Sequence, residues 1–208
     1  MTTTTAEHWD RVYGAREEDA LTWFEPRPEM SMALIRRYLP GRGGVIDIGG
    51  GASRLVDALL DDGVAPVAVL DLSDAALAVS RDRLGARAGE VEWIAADVTV
   101  WEPARRWDLW HDRAVFHFLT TDAARTGYLR ALGAALAPGG TAIIATFAED
   151  GPETCSNLPV ARYSPEALAA ALARLAPGLL DPVEAMRHVH VTPMGNRQNF
   201  QISVFRRL

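Results

Sequence analysis

Short apolar runs alternate with stretches of helical periodicity along most of this chain. The run Val45-Ile46-Asp47-Ile48 ends in Gly49-Gly50-Gly51-Ala52-Ser53, and Arg54-Leu55-Val56-Asp57-Ala58-Leu59-Leu60 follows with apolar residues at helical spacing. This predicts a buried strand, a tight turn and a helix. Glycine has no Cβ, so it reaches positive φ and lets a ligand approach the backbone. The same alternation predicts strands over 67–70 (ending at Asp71), 91–95 (running to Asp97), 107–110 (ending near His111-Asp112) and 141–147. Helices are predicted between them: one capped by Ser73 or Asp74, and one opened by Thr121 or Asp122 and closed by Pro138-Gly139-Gly140. Repeated strand-helix units of this length make a parallel sheet with helices on both faces.

The two ends depart from the alternation. Before the first strand lie a short helical stretch from Glu7, the proline-interrupted run 21–28, and a helix over 29–39 stopped by Pro40-Gly41. Four aromatics, Trp9, Tyr13, Trp23 and Phe24, fall in residues 1–28. That segment is read as an N-terminal helical arm or lid, and 29–208 as the main domain. After a helix over 164–176, runs 183–191 and 198–205 flank Pro193-Met194-Gly195-Asn196, which predicts an antiparallel hairpin at the sheet edge.

Composition narrows the function classes. The 208 residues are 49% hydrophobic and 23% charged, with a formal net charge of −6. That balance argues against electrostatically gripped nucleic acid. All 21 basic residues are Arg, so no lysine chemistry is available. Cys155 is the only cysteine, and His188 and His190 share a face of an edge strand without a third ligand, so no metal is assigned. No apolar run has membrane-spanning length, and the start lacks the regions of a signal peptide, so the expected location is cytoplasmic. Oligomeric expectation is a monomer or homodimer.

The acids select the ligand. Asp71 falls 22 residues after Gly49 at a strand end, where a carboxylate accepts from ribose hydroxyls. Asp97 stands where it can accept from an adenine amino group. A dinucleotide fingerprint requires a third glycine, and its place holds Arg54. The spacing Asp47-x-Gly49-x-Gly51-x-Ser53 instead suits a ligand that brings a cationic amino group.

On these residues the chain resembles the class I S-adenosylmethionine-dependent methyltransferases. Their first motif is similar to residues 45–53, their ribose acid to Asp71, their adenine-side acid to Asp97 and their post-helix turn to Pro138-Gly139-Gly140. The resemblance implies an α/β, doubly wound, seven-stranded Rossmann-like sheet of order 3-2-1-4-5-7-6 with strand 7 antiparallel. It implies S-adenosyl-L-methionine as cofactor, held by Trp23, Asp47, Gly49, Gly51, Ser53, Asp71, Leu72, Asp97, Val98 and His111. The opening His8-Trp9-Asp10-x-Val12-Tyr13 also resembles the lysine methyltransferases that modify elongation factor 1A. Their motif after strand four is Asp-Lys-Gly-Thr-Phe-Asp. Here Asp112 and Phe116 fit it, whereas Arg113 and His117 depart. The expected acceptor is therefore a small molecule before a protein side chain, methylated at N, O or S. Asp112 is the expected orienting group and His117 the expected proton acceptor. A polar acceptor pocket is also expected from Glu149, Asp150, Glu153, Cys155, Asn157, Arg162 and Tyr163 in the long segment 148–163. An NAD-linked oxidoreductase and a non-catalytic cofactor-binding module are the competing readings.

Overall fold

The computed structural model describes residues 5–15, 18–39, 41 and 43–208. The chain begins with α1 (Thr5–Gly14) and α2 (Glu29–Tyr38). The helix stop expected at Pro40 lies outside the described residues, as do Met1–Thr4, Arg16 and Glu17 of the arm. Alternation then runs β1 (Val45–Ile48), α3 (Leu55–Asp61), β2 (Val67–Asp71), α4 (Asp74–Leu84), β3 (Val91–Ala95), β4 (Trp107–Arg113), α5 (Asp122–Ala135) and β5 (Leu136–Phe147). A ribbon of β6 (Thr154–Cys155) and β7 (Leu158–Pro159) precedes α6 (Pro165–Leu175), β8 (Leu180–Val191) and β9 (Arg197–Arg207).

Seven strands form one sheet in the order β3-β2-β1-β4-β5-β9-β8. Apart from the two-stranded ribbon, this is the expected 3-2-1-4-5-7-6 arrangement, with the last strand antiparallel to both neighbours. Period-two alternation along the strands divides the core into two layers. Val45, Val69 and Leu109 join α2 and α3 through Ile35, Leu55 and Leu59. Ile46, Leu70 and Trp110 join α5 and α6 through Tyr128, Leu132, Leu168 and Leu172. Helix starts carry side-chain caps, those at Ser73 and Thr121 as expected. Ser73 Oγ accepts from the Ala76 amide, Thr121 Oγ1 from Ala124, and Ser164 Oγ from Ala167.

Two boundaries differ from expectation. Helix α5 ends at Ala135 and β5 begins at once, with Leu136 paired to Trp107. Pro138-Gly139-Gly140 lies inside that strand at a register shift, with Gly139 at φ +74°, so it bends the strand and does not close the helix. The hairpin strands are also longer than their apolar cores, because pairing extends to Leu180 and Arg207. Among the described residues no helix is long and apolar enough to cross a membrane.

Gly127 on α5 sets how closely that helix approaches the loop after β3. A Cβ there would stand 2.2 Å from the Thr99 carbonyl oxygen, and a backbone group cannot swing aside. Gly127→Ala is expected to destabilise the fold by about 1–3 kcal/mol through overpacking. Urea denaturation tests this, and an unchanged midpoint would contradict it.

Candidate active site

The carboxyl ends of β1, β2, β3 and β4 open into a cavity of about 590 Å³. Its floor follows from the glycine turn. Gly49, at φ +67°, would place a Cβ 2.1 Å from Val115 Cγ2, so only glycine fits there. Gly51, at φ +39°, would place one 2.9 Å from both Asp71 Oδ2 and Tyr13 Oη. The turn is thus a cradle in which backbone, carboxylate and phenol converge.

Asp71 ends β2 at the cavity wall and is only 7% exposed. Its Oδ1 accepts from the Ser73 amide at 2.8 Å. Burial pushes its carboxyl up to about 7, against the pull of the Ser73, Leu72 and Gly51 amides; the nearby Asp47 charge raises it further. Leu72 and Val98 line the same region. Asp97 lines the cavity and uses Oδ1 to hold the Thr99 amide and hydroxyl at 2.8 and 2.7 Å, so Oδ2 is not used in these bonds.

Strand register explains Asp47 and His111. These residues are paired neighbours on β1 and β4 and face the α2 layer. The His111 Nδ1–H donates to Asp47 Oδ1 at 2.7 Å, and Nε2 and the Ser31 hydroxyl on α2 are hydrogen-bonded at 2.9 Å. Asp47, Ser53 and His111 border a smaller pocket of about 50 Å³ that shares Tyr13, Trp23 and Gly49 with the main cavity.

Asp112 and His117 do not take the expected acceptor-side positions. Asp112 is one residue further along β4 and so faces α5, with 0% exposure. Its carboxylate accepts from the Val115 and Phe116 amides at 2.8 and 3.1 Å and from the Tyr128 hydroxyl at 2.7 Å. Tyr128 in turn accepts from Trp110 Nε1 at 2.8 Å. Burial raises the Asp112 carboxyl to about 6, opposed by these donors. The helix expected after it is a single 3-10 turn, Phe116–Phe118, preceded by Ala114 at φ +75°. That turn carries the His117 ring inward between Phe118 and Phe147, with 0% exposure. Burial, followed by the Arg113 charge, lowers His117 to about 3, a poor proton acceptor with no cavity face.

The residues that face the cavity in their place come from segments that flank the sheet. Helix α1 contributes His8, Trp9 and Tyr13, and the following turn contributes Trp23. Trp9 meets Trp23 and Phe118 edge-on at 5.9 and 5.2 Å. Phe24 is turned away under Arg54. The arm is stitched down at both ends. Ser73 Oγ donates to Asp10 at 2.6 Å. Arg113 donates to the Trp23 carbonyl and to Glu25, and His190 contacts Glu25 and the Thr22 carbonyl.

In segment 148–163 the cavity residues are Cys155, Leu158 and Pro159, on the ribbon. Ser156 and Asn157, both at positive φ, form its two-residue turn. The polar residues expected there pair elsewhere: Glu149 with Arg187, Asp150 with Asn199, and Glu153 with Arg162. Tyr163 packs into the core against Phe116. No periodicity marks the ribbon; a Ser-Asn pair between short runs is its one local signal.

Residues 45–140 match the family described as "Methyltransferase domain". A curated mouse (Mus musculus) protein, "eEF1A lysine and N-terminal methyltransferase", is 24% identical over 119 residues. The match covers 57% of this chain and only 17% of that protein's length. A solved structure from work on the conversion of a disulfide bond into a thioacetal group during echinomycin biosynthesis is 25% identical, with TM-score 0.74 over 98% of this chain and 93% of that one. A 1,6-didemethyltoxoflavin-N1-methyltransferase from Burkholderia thailandensis, with its acceptor and S-adenosylhomocysteine bound, is 24% identical, with TM-score 0.69 over 86% and 77%. The N-methyltransferase NodS from Bradyrhizobium japonicum WM9, bound to S-adenosylhomocysteine, is 19% identical, with TM-score 0.73 over 98% and 99%.

Proposed function

We propose, from the premise that this chain carries a methyltransferase domain of the class I S-adenosylmethionine-dependent superfamily, that it methylates a nucleophilic N, O or S atom of a small molecule. The observation that carries the reading is one bounded cavity with two unlike ends. At the nucleoside end Asp71 accepts from the ribose hydroxyls and Asp97 Oδ2 accepts from the adenine amino group. Leu72 and Val98 enclose the base, and Gly49 and Gly51 let the ligand lie against the backbone. The amino-acid end of the cofactor runs toward Tyr13, Trp23 and the smaller pocket of Asp47, Ser53 and His111. At the far end Trp9, Phe118, Leu119, Leu158 and Pro159 form an apolar wall for the acceptor.

The bound cofactor supplies an already activated methyl group. The protein's work is alignment, for which about 7–11 kcal/mol is available at best. The arm of residues 1–28 acts in this reading as a lid that excludes water. Protein lysine is the less favoured acceptor, since the two acids that line the main cavity, Asp71 and Asp97, both stand at the nucleoside end. An NAD-linked oxidoreductase is disfavoured by the missing third glycine and by the Asp47 carboxylate beneath the turn.

Purified protein is expected to bind S-adenosylmethionine and S-adenosylhomocysteine by calorimetry. Binding of NADH with neither of these would overturn the assignment.

A further inference from the structure

An acceptor that arrives protonated needs a group to take its proton, and His117 and Asp112 are buried away from the cavity. Five titratable side chains besides His8 line the cavity. Asp71 and Asp97 serve the nucleoside end. Burial, then the Asp71 charge, raises the Tyr13 phenol far beyond its ordinary range. Burial raises the Cys155 thiol to about 11. Arg113 is a cation already engaged by Glu25. His8 alone is left, and its Nε2 is a buried atom with no hydrogen-bond partner. His8 lines the cavity, and a ring nitrogen beside a cavity with no partner in the protein calls for a ligand atom.

The helix places His8 at the acceptor end. Successive residues turn about 100° around an α-helix. Asp10 faces α4 through Ser73, Tyr13 comes next around the helix beside Asp71, and Trp9 follows against Phe118. His8 lies roughly 200° from Asp10, beyond Trp9 and farthest from the ribose acid. Its ring is held edge-on to Trp9 at 5.4 Å.

We propose that His8 Nε2 receives the proton of an acceptor that has a flat, mainly apolar body and a protonated O, N or S nucleophile. The inference rests on the methyltransferase reading above. The acceptor's lone pair forms the bond to the methyl carbon, the carbon–sulfur pair returns to sulfur, and the acceptor's proton passes to Nε2. His8 therefore acts on the acceptor and leaves cofactor affinity unchanged.

The test uses 4-nitrophenol as acceptor probe and S-adenosylhomocysteine to fill the cofactor site, so no turnover is required. At a pH where the free phenol is protonated, loaded wild-type protein is expected to raise the nitrophenolate absorbance. His8→Gln, which can hydrogen-bond but not accept the proton, is expected to reduce the ionised fraction of bound probe by about tenfold or more. It should bind S-adenosylhomocysteine as wild type does, which also shows that it folds. Equal absorbance in both proteins, or no signal in loaded wild type, overturns the role of His8. Loss of S-adenosylhomocysteine binding in His8→Gln alone also overturns it, since His8 would then be a cofactor contact. Failure of wild type to bind S-adenosylhomocysteine would instead remove the methyltransferase reading itself.

Discussion

Asp71→Asn is expected to weaken S-adenosylhomocysteine binding by roughly 10- to 150-fold while stabilising the ligand-free protein at pH 8. The first effect is the loss of about 1.5–3 kcal/mol, the scale of a hydrogen bond to a charged acceptor. The second follows from burial. Asp71 titrates near 7 in the folded protein, against about 3.9 for a free side chain. Because the folded value is raised, the fold binds the proton more tightly than the unfolded chain does. The stability this contributes is fully present below about pH 4 and is lost as pH rises through 7. Above that, the fold carries a buried charge at full cost. Asparagine keeps the shape and never ionises, so the gain at pH 8 is expected to be about 1–3 kcal/mol and to vanish near pH 4. Calorimetry and urea melts at the two pH values measure both effects. Wild-type affinity in the variant would reduce Asp71 to an anchor for the Leu72 and Ser73 amides. A loss of stability at pH 8 would show that those amides outweigh the charge.

Asp112→Ala is expected to cost about 3–5 kcal/mol of stability, the scale for removing one member of a buried charged network. That is a large share of the roughly 5–15 kcal/mol that holds a typical domain together. The substitution leaves the Val115 and Phe116 amides and the Tyr128 hydroxyl without an acceptor and opens a void between β4 and α5. Asp112→Asn retains one acceptor oxygen and should lose less. It should also remove the decline in stability that the raised Asp112 carboxyl produces as pH rises from about 4 through 6. Chemical denaturation of both variants gives the comparison. An Asp112→Ala protein that unfolds at the wild-type midpoint would contradict the structural role and return Asp112 to the acceptor site.

The fold was largely legible because strand and helix periods are local and because the glycine turn and strand-end acids resemble a known family. The places of Asp71 and Gly49 at strand ends on the cavity were readable for the same reason. Each sits where a strand must end, and a strand end faces the ligand crevice in this architecture. His117 was not readable. Counting residues from Asp112 places it near the cavity mouth, but the Asp112 carboxylate captures the Val115 and Phe116 amides and folds the turn inward. Asp112 and His111 are adjacent in sequence and face opposite layers of the sheet. Which layer meets a ligand depends on helices distant in the chain. The ribbon was missed since a strand of two residues has no period to detect. The polar residues of segment 148–163 pointed to a pocket in composition alone, and Arg187, Asn199 and, within the segment, Arg162 claim its acids first.

The cavity's two ends also differ in how they are tied to the rest of the chain. Its nucleoside end is cut from the termini of β1, β2 and β3, where a substitution disturbs sheet register and both core layers. Much of its far wall is borrowed from α1 and from a six-residue ribbon closed by Ser156 and Asn157, neither of which is a strand of the main sheet. Under the proposed function, selectivity and donor binding can therefore diverge independently. On the same reading, exchange of the ribbon together with Trp9 offers a compact route to redesigning the acceptor while His8 and the strand-end residues stay in place.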